Sequence, residues 1–139
     1  MTEILLAGNT TLQSLESIYR GRDAFALNTE AKGAIAKSAA LISIAAAGDA
    51  PIYGVNTGFG KLASVRIGPD ALTQLQRNLI LSHSAGTGPL LSAEVTRLVM
   101  ALKLLSLGRG ASGVRWDVIQ HIENFIAADI LPVIPSQGS

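Results

Sequence analysis

Few side chains in this sequence could do chemistry, and the foremost is Tyr53. It stands near the start of a run of small and turn-prone residues, Pro51 to Ile67, as the one aromatic hydroxyl of that run. Held in suitable surroundings, a phenol can act as a general base. It can equally serve as an aromatic anchor that fixes a loop onto helices, and spacing alone does not choose between the two roles. Gly54, Gly58 and Gly60 follow closely and permit positive φ or close backbone approach. Ordering such a loop costs conformational entropy that packing rarely repays, and loops of this kind between rigid elements often carry function.

The two histidines differ. His83 continues a row formed by Leu72, Leu75 and Leu79, spaced 3, 4 and 4 residues apart, so all four share one helix face. It falls at the helix C-terminus, where the dipole favours a cation. On pattern alone, a satisfied core histidine on a buried stripe is the stronger expectation. His121 falls on the polar face of its helix and reads as a surface residue. No second ligand sits at useful spacing from either histidine and there is no cysteine, so no metal site is expected.

Two glycine patterns invite comparison with nucleotide loops. Gly108-x-Gly110-x-x-Gly113 follows a helix, whereas a dinucleotide fold needs a strand before the turn. Gly58-x-Gly60-x-x-Ala63 lacks a clear parent strand. A phosphate-binding loop of the G-x-x-x-x-G-K-[ST] type also fails. Gly54 and Gly60-Lys61 are one residue too far apart, and Leu62 replaces the hydroxyl residue.

The elements that must position these residues are mainly helical. A short strand is expected over residues 4–7 and a second over Phe25–Leu27, a possible two-stranded piece. Between them Thr11 caps a helix to Arg20, stopped by Gly21. Asn28 or Thr29 begins an alanine-rich helix to Ala47, carrying Ile35, Leu41, Ile42 and Ile44, and Gly48 with Pro51 ends it. After the glycine loop, Pro69 suits the first turn of a helix to Ser84. Ser92 caps a helix whose apolar residues run nearly all round from Val95 to Leu107, as in a helix buried in a bundle. Ser112 is expected to cap a last helix to Ala128, with Val118, Ile119, Ile122, Phe125 and Ile126 as its apolar stripe. Pro132 and Pro135 then force an extended tail. No internal repeat or linker divides residues 1–139, which read as a single helical segment.

Composition adds a constraint of its own. Charged residues are only 15% against 48% hydrophobic, where about 25% charged is usual. A chain so poor in polar surface is expected to bury much of its outside against other polypeptide. A net charge of +1 gives no footprint for nucleic acid, and no basic run suggests a membrane surface. Met1-Thr2-Glu3 lacks the basic start of a signal peptide. The longest apolar runs, such as Ala39–Ala47, are too short and serine-broken to span a bilayer. The cytoplasm is the default compartment.

Tyr53-Gly-Val-Asn-Thr-Gly-Phe-Gly60 resembles the signature loop of the aromatic amino acid ammonia-lyases. The likeness continues through Asn78-Leu-Ile-Leu-Ser-His-Ser-Ala-Gly86, Ser106-Leu-Gly-Arg-Gly-Ala-Ser-Gly-Val-Arg115 and Leu131-Pro-Val-Ile-Pro-Ser-Gln-Gly-Ser139, most of the chain after about residue 50. Asn56 and the Ser82-His83 pair are most similar to the histidine-acting members. Phenylalanine enzymes tend to have Phe-Leu at that pair, and some tyrosine enzymes His-Leu.

The resemblance implies elimination of ammonia from L-histidine to give trans-urocanate, in histidine degradation, by a cytoplasmic homotetramer. It implies that Tyr53 is the base, that His83 contacts the substrate imidazole and that Gly60 lines the pocket. It also implies an electrophile, methylidene-imidazolone, made autocatalytically from an internal Ala-Ser-Gly. Ala111-Ser112-Gly113 occupies the family's Arg-Gly-x-Ser-Gly helix start and is not that triad, which is expected just beyond Ser139. The chain is thus expected to be the N-terminal part of a larger lyase, inactive without the remainder. The alternatives are a tyrosine or phenylalanine ammonia-lyase or aminomutase of the same family, and a non-catalytic helical interaction module.

Overall fold

The structure is a computed structural model that describes residues 2–21 and 23–138; Ser139, the last residue of the final motif, lies outside them. In chain order the described elements are β1 Glu3–Leu5, α1 Leu12–Arg20, β2 Phe25–Leu27, α2 Lys32–Ala47, α3 Pro69–His83, β3 Thr87–Leu90, α4 Ala93–Gly108, α5 Trp116–Ala127 and β4 Pro135–Gln137. The mainly α architecture expected from periodicity is what forms.

Local chemistry sets most helix ends. The Thr11 hydroxyl accepts from the Ser14 N–H at 3.1 Å and opens α1, and the Gly21 N–H closes it on the Ser17 carbonyl. Asn28 accepts from the Glu30 N–H at 3.0 Å and starts one 3-10 turn, Thr29–Ala31, that leads into α2. The Gly48 N–H bonds the Ile44 and Ala45 carbonyls at the far end of α2. Ser92 caps α4 through the Val95 N–H.

The expected two-stranded piece exists. β1 and β2 pair in parallel, Glu3 with Phe25 and Leu5 with Leu27, across the α1 crossover. Leu5, Phe25 and Leu27 are buried there under α4, whose inward face supplies Met100, Ala101, Leu104 and Leu107. The end of α4 comes so close to β2 that a Cβ on Gly108 would stand 2.6 Å from a Leu27 methyl. From α5, Ile119 and Ile126 complete the core. Glu123 of α5 accepts from the Leu27 N–H at 2.8 Å and so ties that helix to the strand. Arg97 is the core's buried charge. It donates to the Asp23 carbonyl and to Asp129 Oδ1, with its guanidinium 5.6 Å from the Phe25 ring centre.

Three expectations change, and α2 stays largely uncovered. Ser112 does not cap α5, which begins at Trp116 after Arg115, because the preceding segment docks on α2 instead. Of the α5 stripe, Val118 and Phe125 face outward while Ile119, Ile122 and Ile126 face the core. Of the α2 residues only Ile35 is buried, and Leu41, Ile42 and Ile44 are exposed. α4 is buried along one face only, leaving Val99 and Leu102 open. They line a groove of about 650 Å³ with Ile122, Phe125, Ile130 and Pro132.

The extended tail finds a partner that local sequence does not announce. β4 pairs antiparallel with β3, Thr87 opposite Gln137 and Leu90 opposite Pro135, with an irregularity between. The fit relies on missing side chains. A Cβ on Gly86 would lie 2.8 Å from Pro135, and one on Gly138 would collide with the Ala85 carbonyl oxygen.

Candidate functional site

Asn56 organises the glycine loop. Its side chain is wholly buried and links the loop to the C-terminal end of α2. The amide nitrogen donates toward the carbonyls of Ala50 at 3.0 Å, Ala45 at 3.3 Å and Gly48 at 3.4 Å. The amide oxygen accepts from the Ile52 N–H at 2.7 Å. Carbonyls left over at a helix end need donors, and an amide supplies donors and an acceptor from one side chain.

The returning limb is tied as firmly. Gly58 N–H bonds the Val65 carbonyl at 3.1 Å and Ile67 N–H bonds the Asn56 carbonyl at 2.8 Å. Thr57, also buried, bridges to Arg66, and Arg66 reaches the Gly48 carbonyl at 3.1 Å. The loop is therefore a closed, bonded structure rather than a tether.

Tyr53 rides on this frame. Its side is set by a tight turn in which Val55 and Asn56 N–H groups both bond the Ile52 carbonyl, at 3.0 and 3.2 Å. Gly54, at φ +77°, makes that turn possible. The ring stands edge-on to Phe59 with centroids 5.8 Å apart, yet 64% of Tyr53 is open to solvent. Gly60 lies in the same loop at φ +59°, and a Cβ there would meet nothing within 4 Å. Its glycine is required by backbone conformation, not by crowding.

His83 is not on a buried stripe. Leu72, Leu75 and Leu79 are half-buried, but His83 itself is exposed at the last turn of α3, a helix with no buried residue among its described side chains. The spacing that put the four on one face is right; burial fails because the end of that face has no covering element. His83 Nδ1 lies 2.9 Å from the Leu79 carbonyl and 3.0 Å from Ser82 Oγ. A carbonyl only accepts, so it is the tautomer protonated at Nδ1 that donates to Leu79. The ring is thereby oriented by its own helix. The β3–β4 pair places residues 135–138 beside Ala85 to Gly88, directly after His83.

Ala111-Ser112-Gly113 lies between α4 and α5. The Gly113 N–H donates to Ser38 Oγ at 3.0 Å, and Gly113, at φ +69°, leaves no room for a Cβ against the Ile42 side chain. The triad fastens that connection to α2. His121 is exposed on α5, as its polar face predicts. Among the described residues no group of three or more His, Asp or Glu could hold a metal ion, and no helix is long and apolar enough to cross a membrane.

The organising role of Asn56 is not legible from its spacing. The available signal was an amide residue within a glycine-rich loop, a type that readily bonds nearby backbone.

Residues 10–139 match the model of the aromatic amino acid lyase family. Over 139 residues the chain is 50% identical to histidine ammonia-lyase of Bartonella henselae, covering 100% of this chain and 27% of that protein. The structure superposes on histidine ammonia-lyase from Trypanosoma cruzi with a TM-score of 0.87 at 33% identity, covering 100% of this chain and 27% of the other. It superposes on tyrosine aminomutase from Streptomyces globisporus with a TM-score of 0.91 at 29% identity, covering 100% and 26%. The chain thus spans about a quarter of the length of these relatives.

Proposed function

This chain belongs to the aromatic amino acid lyase family, and from that premise we propose that it serves as one helical segment of a histidine ammonia-lyase, supplying the base and a substrate contact. The carrying observation is Tyr53: a phenol left open to solvent on a loop that is otherwise closed by hydrogen bonds.

In this role Tyr53 Oη takes a proton from the β-carbon of L-histidine. The C–H electron pair becomes the new C=C bond, the C–N bond breaks, and ammonia leaves trans-urocanate behind. The β-proton is only weakly acidic, so a fixed base is worth most when it is already positioned. His83 contacts the substrate imidazole from a ring oriented by the Leu79 carbonyl. Gly60, with open space where a Cβ would be, lines the pocket.

The family's methylidene-imidazolone supplies an electrophile that makes the amine a better leaving group. The Ala-Ser-Gly of this chain does not fit that group. Ring closure within the triad would need the Gly113 nitrogen, which is engaged with Ser38. The electrophile is accordingly assigned to polypeptide other than these residues. The whole enzyme is proposed to be a cytoplasmic homotetramer, and residues 1–139 alone to be inactive.

The 50% identity to a histidine ammonia-lyase supports histidine as substrate. The match to a tyrosine aminomutase at a TM-score of 0.91 supports a second reading, action on tyrosine with the amino group retained. Tyr53→Phe in the whole lyase that contains this sequence tests the assignment. Turnover is expected to fall by about 10²-fold or more with an unchanged melting temperature, because only a hydroxyl is lost. Retained turnover would make Tyr53 an anchor. Release of ammonia with histidine, against a β-amino acid formed from tyrosine, separates the two substrate readings.

A further inference from the structure

The structure assigns Asn56 as the positioning residue for Tyr53. The inference rests on Tyr53 being the base and goes beyond it by naming what holds the base in place. Both backbone polar groups of Ile52, the residue before Tyr53, are bound by Asn56. The Ile52 N–H donates to the Asn56 side-chain oxygen at 2.7 Å, and the Ile52 carbonyl accepts from the Asn56 N–H at 3.2 Å. One residue thereby clamps the peptide units that enter the Tyr53 turn.

The clamp is anchored in turn. Three carbonyls of the α2 terminus and the segment after it, Ala45, Gly48 and Ala50, converge on the Asn56 amide nitrogen. The side chain is 0% exposed, so water cannot replace these bonds unless the loop opens. Among the described residues, the aromatic contact of the Tyr53 ring is its edge-on approach to Phe59, and no hydrogen bond of its hydroxyl is seen. Its position therefore depends on the backbone turn, and the turn depends on Asn56.

Aspartate keeps the acceptor for Ile52 but turns a carboxylate toward three carbonyl oxygens. Alanine leaves the Ala50 carbonyl and the Ile52 N–H without their partner, while the Ala45 and Gly48 carbonyls keep the Gly48 N–H and Arg66. Either change frees the turn relative to α2, and a displacement on the order of 1 Å at a catalytic group can cost about 10²-fold in rate.

The test is a double-mutant cycle in the whole lyase, with Asn56→Ala, Tyr53→Phe and the pair. If Asn56 acts through Tyr53, Asn56→Ala lowers kcat by about 10- to 100-fold with a much smaller change in KM. In the Tyr53→Phe background the same change lowers kcat little further, since no base remains to misplace. An equal loss in both backgrounds, or a loss confined to KM, overturns the assignment. So does full activity of Asn56→Ala. Retained turnover in Tyr53→Phe alone instead sinks the reading of Tyr53 as base, so the two failures are distinguishable. Should Asn56→Ala fail to assemble, Asn56→Ser carries the same comparison, because its hydroxyl can still bond locally. Amide hydrogen exchange supplies a readout apart from activity. Ile52 is expected to lose protection in the Asn56 variant while amides in α4 keep theirs; unchanged protection at Ile52 would show that Asn56 does not hold the turn.

Discussion

At the scale of single residues, the glycine loop shows that exposure and order can coexist. Tyr53 is open to solvent, yet the backbone before it is bonded to Asn56 and the backbone after it to the returning limb. His83 shows the same combination by a different device, with its Nδ1 on the carbonyl four residues earlier. An oriented imidazole at the end of α3 suits recognition of another imidazole, and the prediction at this scale concerns that choice. His83→Leu in the whole lyase should lower the ratio of kcat/KM for histidine over tyrosine by about 10- to 100-fold, the worth of a lost hydrogen bond to substrate. Steady-state kinetics with both amino acids check it. An unchanged ratio would remove His83 from substrate choice.

At the scale of elements, two strands of three residues each could not persist as an isolated pair. β1 and β2 last because α4 covers them and α5 supplies a bond from the side. The Leu27 N–H, buried in the structure, has Glu123 as its acceptor at 2.8 Å. Glu123→Ala is expected to leave that donor unsatisfied and cost about 1–3 kcal/mol. Glu123→Gln keeps an acceptor oxygen and should cost less than about 1 kcal/mol. Denaturant unfolding of both variants checks the difference, and equal costs would mean that the bond contributes nothing. Glu123 is half-buried, and its bond spans residues 27 and 123, which no local pattern connects.

For the whole molecule, the accessible area of 9159 Å² is the telling quantity. A compact monomer of 14.4 kDa is expected to expose about 6,800 Å². The surplus includes the outer faces of α2 and α3 and the groove beside Phe125, with Leu41, Ile44, Ile80 and Leu81 among the exposed apolar residues. Such a surface is what low charge content looks like once folded, and it fits a segment covered by further polypeptide. Residues 1–139 expressed alone should accordingly self-associate or bind a hydrophobic dye strongly at micromolar concentration. Sedimentation velocity and dye fluorescence check this. A monodisperse, dye-silent monomer would argue that the apolar faces need no cover.

Sequence by itself determined what is local. Thr11, Gly21, Asn28, Gly48 and Ser92 set helix ends through bonds within a few residues, and periodicity told helix from strand. The motif around Tyr53 carried the family. Tertiary structure alone decided which apolar faces were buried, because periodicity identifies a face but not whether a neighbour reaches it. Hence Ile35 is buried and Ile44 is not, and His83 ends its leucine row in solvent. The pairing of β3 with β4, the burial of Arg97 against Asp23 and Asp129, and the docking of Gly113 on Ser38 likewise join residues far apart in sequence. Their energies depend on partners that only the folded chain brings within hydrogen-bond range.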